Sequence, residues 1–170
     1  DANVRDTIYL AIDGTTDGFK ISGEWDVLGM RATSSNNLEL TEVFVPEEHQ
    51  LMPRGKYYEA AVNWPHMFMS MCPTYMGIAK AAFDFTCQYL RGEIEGGPPA
   101  GSARYSAAKQ LAVAEIRIKL EQARALFNCA ISEAGMSPSR EERLRAYATQ
   151  YTVMEFSNDI CRLALRTCGG

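Results

Sequence analysis

Hydrophobic positions change their spacing once along this chain. Up to about Pro53 they come in short runs: Thr7-Ile8-Tyr9-Leu10-Ala11-Ile12, Phe19-Lys20-Ile21 and Leu38 through Val45. Short runs rich in β-branched and aromatic residues, bounded by glycines, predict strands. Asp13-Gly14 and Asp17-Gly18 tolerate positive φ, so a tight or bulged turn is expected between the first two strands. Pro46 is expected to end the third, having no N–H for a ladder.

Beyond Pro53 the spacing is helical. One helix is predicted from about Glu59 to Leu90, bent or restarted at Pro65 and Pro73. The Gly96-Gly97-Pro98-Pro99 cluster breaks it, and a second helix is predicted from Ser102, as N-cap, to Ala134, closing at Gly135. Ser139 and Glu142 form a capping-box pair that opens a third helix running to about Arg166. On it Leu144, Tyr147, Tyr151, Met154 and Cys161 share one face, which Val153, Phe156, Ile160 and Leu163 widen beyond half the circumference. A helix so apolar is expected to be buried on more than one side, by the β segment, further chain or another subunit. The predicted class is α+β: a partial antiparallel β domain at 1–55, then an up-down helical bundle of three long helices at 56–170.

Composition narrows the functional classes. In 170 residues, 46% are hydrophobic and 22% charged, which suits one ordinary domain or two small ones. No run approaches the roughly 18 apolar residues of a membrane helix, and the first residues lack a signal-peptide pattern, so a soluble cytoplasmic protein is the expectation. The net charge of −4 is spread along the chain, which argues against nucleic acid as a partner. Five cysteines without a CxxC pair suggest free thiols rather than a disulfide framework or zinc site, and no metal is expected. His49 and His66 are isolated, and no GxSxG, P-loop or HExxH is present. Met67, Met69, Met71 and Met76, beside Trp64, Phe68 and Tyr75, read either as bundle core or as the wall of an apolar ligand tunnel. Tyr57 and Tyr58, with Trp64 and Pro65, flank the strand-to-helix junction.

One long pattern carries a family resemblance. Trp25-Asp26-Val27-Leu28-Gly29-Met30-Arg31-Ala32-Thr33-Ser34-Ser35, followed by Leu38 through Val45 and Pro46, resembles the W-x-x-L-G-M-R-x-T-x-S and V-x-V-P patterns of the acyl-CoA dehydrogenase family. Gly77-Ile78-Ala79-Lys80-Ala81-Ala82 is similar to that family's G-x-A-x-x-A helix segment. Leu111 through Ile116, with Ala123 through Leu126, is similar to its next helix, and Cys168-Gly169-Gly170 to the Gly-Gly that meets the flavin.

The resemblance implies FAD as cofactor, an acyl-CoA substrate dehydrogenated at its α and β carbons, a role in fatty acid metabolism, and a tetramer of this chain or of homologous subunits. It implies that Arg166, Gly169 and Gly170 meet the cofactor and that Arg31, Thr33 and Ser34 line the acyl-CoA entrance; the hydroxyls of that loop also suit a purely structural role. It further implies a fragment, with chain expected before residue 1 and after residue 170. The family's glutamate base lies, in a minority of members, near the start of the first bundle helix. Met67 and Phe68 stand there, so no catalytic residue is expected in this chain. Where the family has R-x-x-F-G, whose Arg pairs with flavin pyrophosphate, this chain reads Arg91-Gly92-Glu93-Ile94-Glu95, and its glutamates would repel a pyrophosphate unless a base intervenes. Arg166 replaces the usual Gln before the Gly-Gly, and either meets cofactor phosphates or caps its helix. Two other readings stay open: a flavin-dependent monooxygenase on the same scaffold, and a non-catalytic partner subunit.

Overall fold

The computed structural model describes residues 7–101 and 106–169. The chain divides into two compact units, the first ending at Ala60 and the second beginning at Ala61.

The first unit holds four short strands in two antiparallel pairs: β1 (Tyr9–Leu10) with β4 (Gln50–Met52), and β2 (Phe19–Ser22) with β3 (Asn37–Leu40). The β2–β3 register sets Phe19 opposite Leu40 and Ile21 opposite Leu38 on one face. Lys20 and Ser22 alternate to the other, where Lys20 pairs with Glu39 at 3.8 Å and the Ser22 hydroxyl donates to the same carboxylate. No described residue of this unit is buried, and its apolar strand residues stay exposed or half-exposed.

Three strand expectations need correction. Turns do follow Asp13 and Asp17, but the strands they join pair with other partners, because the segment from Asp13 to Phe19 is closed by its own bonds, Thr16 N to Asp13 O and Phe19 N to Thr16 O, both 3.0 Å. The third strand stops at Leu40 rather than Val45. Thr41 N donates to Gly18 O at 3.0 Å, and Glu42 takes φ 53°, which turns the chain out of the ladder. A Cβ at Gly18 would lie 2.0 Å from that same Thr41 oxygen, so only glycine permits the approach. Pro46 consequently precedes a 3-10 turn at Glu47–His49 instead of ending a strand. β4 went unpredicted, since Gln-Leu-Met carries no β-branched residue.

In the helical region α1 (Lys56–Asn63) crosses from the first unit into the second, a 3-10 segment runs over Pro65–Met71, and α2 (Cys72–Arg91), α3 (Ala107–Ser132) and α4 (Arg140–Cys168) follow. Pro65 restarts the chain as expected, whereas Pro73 sits in the first turn of α2, where its missing N–H costs nothing. Ser102 lies outside the described residues; Ser106 is the N-cap of α3. The helix ends at Ser132, three residues before Gly135. Both halves of the capping box at Ser139 form: Ser139 Oγ accepts from Glu142 N at 3.2 Å, and the Glu142 carboxylate accepts from Ser139 N at 2.6 Å.

Two core clusters set the bundle's directions. One joins Met69 and Cys72 to Ala123, Ala130, Ala146 and Val153; the other joins Ala79 to Ile116, Leu120, Ile160 and Ala164. The N-terminal part of α2 thus lies beside the end of α3 and the start of α4, the up-down order predicted. Thr86, Ser157 and Thr167 are buried, and each donates its hydroxyl to the carbonyl four residues earlier, so none of these three hydroxyl hydrogens is stranded.

The packed face of α4 is only part of the stripe expected: Val153 and Ile160 are fully buried and Phe156 and Leu163 pack against the core, but Leu144, Tyr147, Tyr151 and Met154 turn outward. Its buried residues are Ala146, Thr149, Val153, Ser157, Ile160, Ala164 and Thr167. Leu144, Tyr147, Tyr151 and Met154 remain 52%, 46%, 69% and 38% exposed. Small side chains let three helices approach closely, and a seam of Leu and Tyr would hold them apart.

Glu142 is held below its ordinary value of 4.5, first by the backbone bond from Ser139. A carboxylate with a lowered folded pKa stabilises at neutral pH and loses that contribution as pH falls from 4.5 through the folded value. Ser139→Ala should cost about 1 kcal/mol by urea denaturation at pH 7. Glu142→Gln should flatten the acid limb of a Tm-against-pH curve; an unchanged limb would show that the box contributes nothing to acid stability.

Candidate functional site

The loop at residues 25–36 is built by its own motif residues. Trp25 Nε1 and Thr33 Oγ1 donate to Met30 O at 3.1 and 2.8 Å, and Arg31 Nε donates to Val27 O at 2.8 Å. Met30 and Ser34 adopt left-handed φ of 58° and 47°, flanking a 3-10 turn at Arg31–Thr33. Asn36 Nδ2 closes the loop on Gly23 O at 2.9 Å. The Arg31 guanidinium lies 3.8 Å from Asp26. Thr33 and Arg31 therefore serve the loop's structure, while both, with Ser34, keep their side chains exposed on one turn.

In the second unit, α3's first turns lie beside α4's last. Between them is a cleft of about 280 Å³ lined by Ala108, Lys109, Ala112, Leu163, Arg166 and Thr167. Among the described residues neither Lys109 nor Arg166 makes an ion pair. Two cations sharing one cleft repel each other and raise the local affinity for an anion. Lys109 lies in no motif; only the antiparallel return of α4 onto α3 brings it to Arg166. Gly169 caps α4 at φ 102°, its N–H donating to Arg166 O at 3.3 Å, and a Cβ there would meet nothing within 4 Å. The turn, rather than close approach of a neighbour, explains that glycine. Gly170 lies outside the described residues.

Arg91 is not available to a cofactor phosphate in this conformation. Its guanidinium grips Glu93 through two bonds, 2.6 and 2.9 Å, which hold the Glu93 carboxyl below its ordinary value. Arg91 is thus the base that offsets Glu93, and it is spent in doing so. Glu93 is placed by Gly92, the left-handed cap of α2 at φ 74°.

The methionine segment is divided. Met69 is buried in the core, whereas Met67 and Met71 are each 42% exposed. Trp64 Nε1 donates to Met136 O at 2.8 Å, tying the 3-10 segment to the α3–α4 turn, and Tyr57 packs on Tyr9 with ring centroids 5.1 Å apart. Both imidazole nitrogens of His66 are shielded and without a hydrogen-bond partner among the described residues. All five cysteines are free, and burial raises the pKa of Cys72, Cys87 and Cys161. No cluster of metal ligands and no membrane-crossing helix exists among the described residues.

The family model described as "Acyl-CoA dehydrogenase, C-terminal domain" matches residues 69–170. The chain belongs to the acyl-CoA dehydrogenase family. It is 29% identical over 139 residues to the mitochondrial short/branched chain specific acyl-CoA dehydrogenase of Rattus norvegicus, covering 80% of this chain and 32% of that one. Butyryl-CoA dehydrogenase from Megasphaera elsdenii superimposes with a TM-score of 0.78 at 20% identity, over 98% of this chain and 42% of that one. KijD3, in complex with FMN and a dTDP-linked amino sugar, superimposes at 0.70 with 25% identity, over 94% and 40%. The chain thus spans about a third to two fifths of the length of these relatives.

Gly92→Ala tests the loop that carries Glu93. A Cβ there would stand 2.7 Å from the Ala100 backbone, at positive φ besides. The substitution should destabilise by about 2 kcal/mol, read as a fall of roughly 5 °C in Tm. A shift below 1 °C would mean that the loop does not pack back on α2.

Proposed function

We propose that this chain is part of a flavin-dependent oxidoreductase that dehydrogenates an acyl-CoA thioester between its α and β carbons. The observation that carries the reading is the cationic cleft of Lys109 and Arg166 at the end of the helix that resembles the family's flavin-meeting helix, in a chain whose family match spans residues 69–170.

The donor set fits a phosphate: two cations without an ion-pair partner among the described residues, and a cleft of about 280 Å³. Nothing lining that cleft fits an isoalloxazine ring, so these residues would hold the phosphate end of the cofactor, FAD in this reading, with Gly169 turning the chain next to it. A bound flavin would supply the hydride acceptor. The exposed turn of Arg31, Thr33 and Ser34 would line the acyl-CoA entrance. Arg31 would meet the ligand's phosphates, and Ser34, whose hydroxyl makes only a 3.4 Å contact with Asn36, would meet a polar group of its pantetheine arm. No residue of this chain is assigned as the base that removes the α proton.

Met67 and Phe68, standing where some members carry a glutamate, favour a second reading, a flavin-dependent monooxygenase on this scaffold, which needs no such base. The dTDP-linked sugar bound by KijD3 supports it as a relative whose ligand is not a thioester.

A visible spectrum of the purified chain, taken after addition of FAD and in parallel of FMN, is the test. FAD uptake is expected, weakened about tenfold by Arg166→Ala and again by Lys109→Ala, as loss of a charge-assisted bond implies. Equal uptake by both variants would remove the cleft from the site, and a colourless protein that takes up neither flavin would overturn cofactor binding by this chain.

A further inference from the structure

Gly77 has neither a conformational nor a steric reason to be a glycine. It lies inside α2 without a positive φ, and a Cβ built on it would meet nothing within 4 Å. Glycine at such a position weakens a helix relative to alanine, so its reason lies outside the backbone. The cavity beside it supplies one. Met76, Gly77 and Lys80 of α2 face Leu120 and Arg124 of α3 across a cleft of about 170 Å³. Leu120 is buried and Met76 packs against the core, so the floor is apolar, and the missing side chain at Gly77 leaves it open.

The rim of this cleft is charged, and unevenly. Lys80 pairs with Asp84 one turn on, while Glu121 is shared, 2.7 Å from Arg117 and 3.6 Å from Arg124. Three cations thus answer two carboxylates, and Arg124, at the longer of the two contacts, is the least neutralised. A half-exposed guanidinium and ammonium above an apolar floor attract a guest that is anionic at one end and apolar at the other.

We infer that the α2–α3 cleft binds a small amphipathic carboxylate. Its short alkyl chain lies over Gly77 against Met76 and Leu120, and its head is received by Arg124 and Lys80. A planar head with two oxygens matches the fork of a guanidinium. Asp84 and Glu121 stay at the rim and disfavour a dianion such as phosphate, whose second charge they would repel. The volume lies below that of pockets that hold drug-sized ligands, which limits the chain to a short one. The inference stands apart from the flavin reading, since none of these residues lines the Lys109–Arg166 cleft.

Isothermal titration of the whole chain with sodium hexanoate at low salt should give one site with a Kd of about 1 mM or tighter, accompanied by a rise in Tm. Hexanamide, which keeps the chain without the charge, and acetate, which keeps the charge without the chain, should each bind about tenfold more weakly or worse. Gly77→Leu, whose side chain fills the cleft, should abolish binding and leave helical circular dichroism unchanged. Arg124→Gln should weaken binding about tenfold. A chain that takes up no hexanoate at about 10 mM would overturn the inference, as would a Gly77→Leu chain that binds it as tightly as the parent. Equal binding of hexanamide would overturn the charged head, and equal binding of acetate would reduce the site to surface cations. Lys80 and Arg124 are half-exposed, so the double variant Lys80→Gln/Arg124→Gln decides the question even if Gly77→Leu does not fold: undiminished affinity in it would overturn the inference.

Discussion

The bundle depends on how closely α4 can enter the groove between α2 and α3. Ala146 and Ala164 on α4 meet Cys72, Ala79, Ala123 and Ala130 from its neighbours, and these small residues alternate with Met69, Ile116, Leu120, Val153 and Ile160 in the two core clusters. Attraction in such an interior comes from many short-range contacts between backbones and small groups, and it falls steeply if the helices separate. The hydroxyls of Thr86, Ser157 and Thr167 are tolerated there because each returns its hydrogen to its own helix. Lys119 adds a lateral tie, reaching Asp159 at 2.9 Å while lying 4.9 Å over the Phe156 ring, with its ammonium still partly in water.

Close packing on one side of α4 has consequences at its end and on its back. Because α3 and α4 run antiparallel in contact, the last turn of one must adjoin the first turn of the other, and two cations far apart in sequence come to share a cleft. The same packing turns the bulky Leu, Tyr and Met residues outward. The charges that the family resemblance would have placed near the cofactor are rearranged accordingly: Arg91 answers Glu93, and Arg166 with Lys109 provides the free positive field.

The first unit is held differently. With no buried residue among those described, it is held by its two strand pairs and by hydrogen bonds closed within a few residues, as in the Asp13 turn, where the carboxylate accepts from Thr15 N and Oγ1 at 2.8 and 2.6 Å. Its motif loop at 25–36 is of a similar kind: the side chains of Trp25, Arg31, Thr33 and Asn36 each donate to a backbone carbonyl.

What the sequence determined by itself was everything with a short physical range. Capping at Ser139, the restart at Pro65, the break at Gly96-Gly97-Pro98-Pro99 and most bonds of the motif loop arise from interactions within four or five residues, and the three long helices from period. Tertiary structure decided the rest. Apolar period identified one wide stripe on α4 without saying which part of it faces inward, since hydrophobicity ranks Leu and Tyr above Ala and Ser, whereas the distance between packed helices rewards the smaller. Strand pairing escaped for a similar reason: β1 meets β4 across forty residues of chain, and a three-residue strand carries too little composition to announce its partner. Lys109 became a candidate only when α4 folded back beside it, because an unpaired cation gains its chemical meaning from the charge across the cleft.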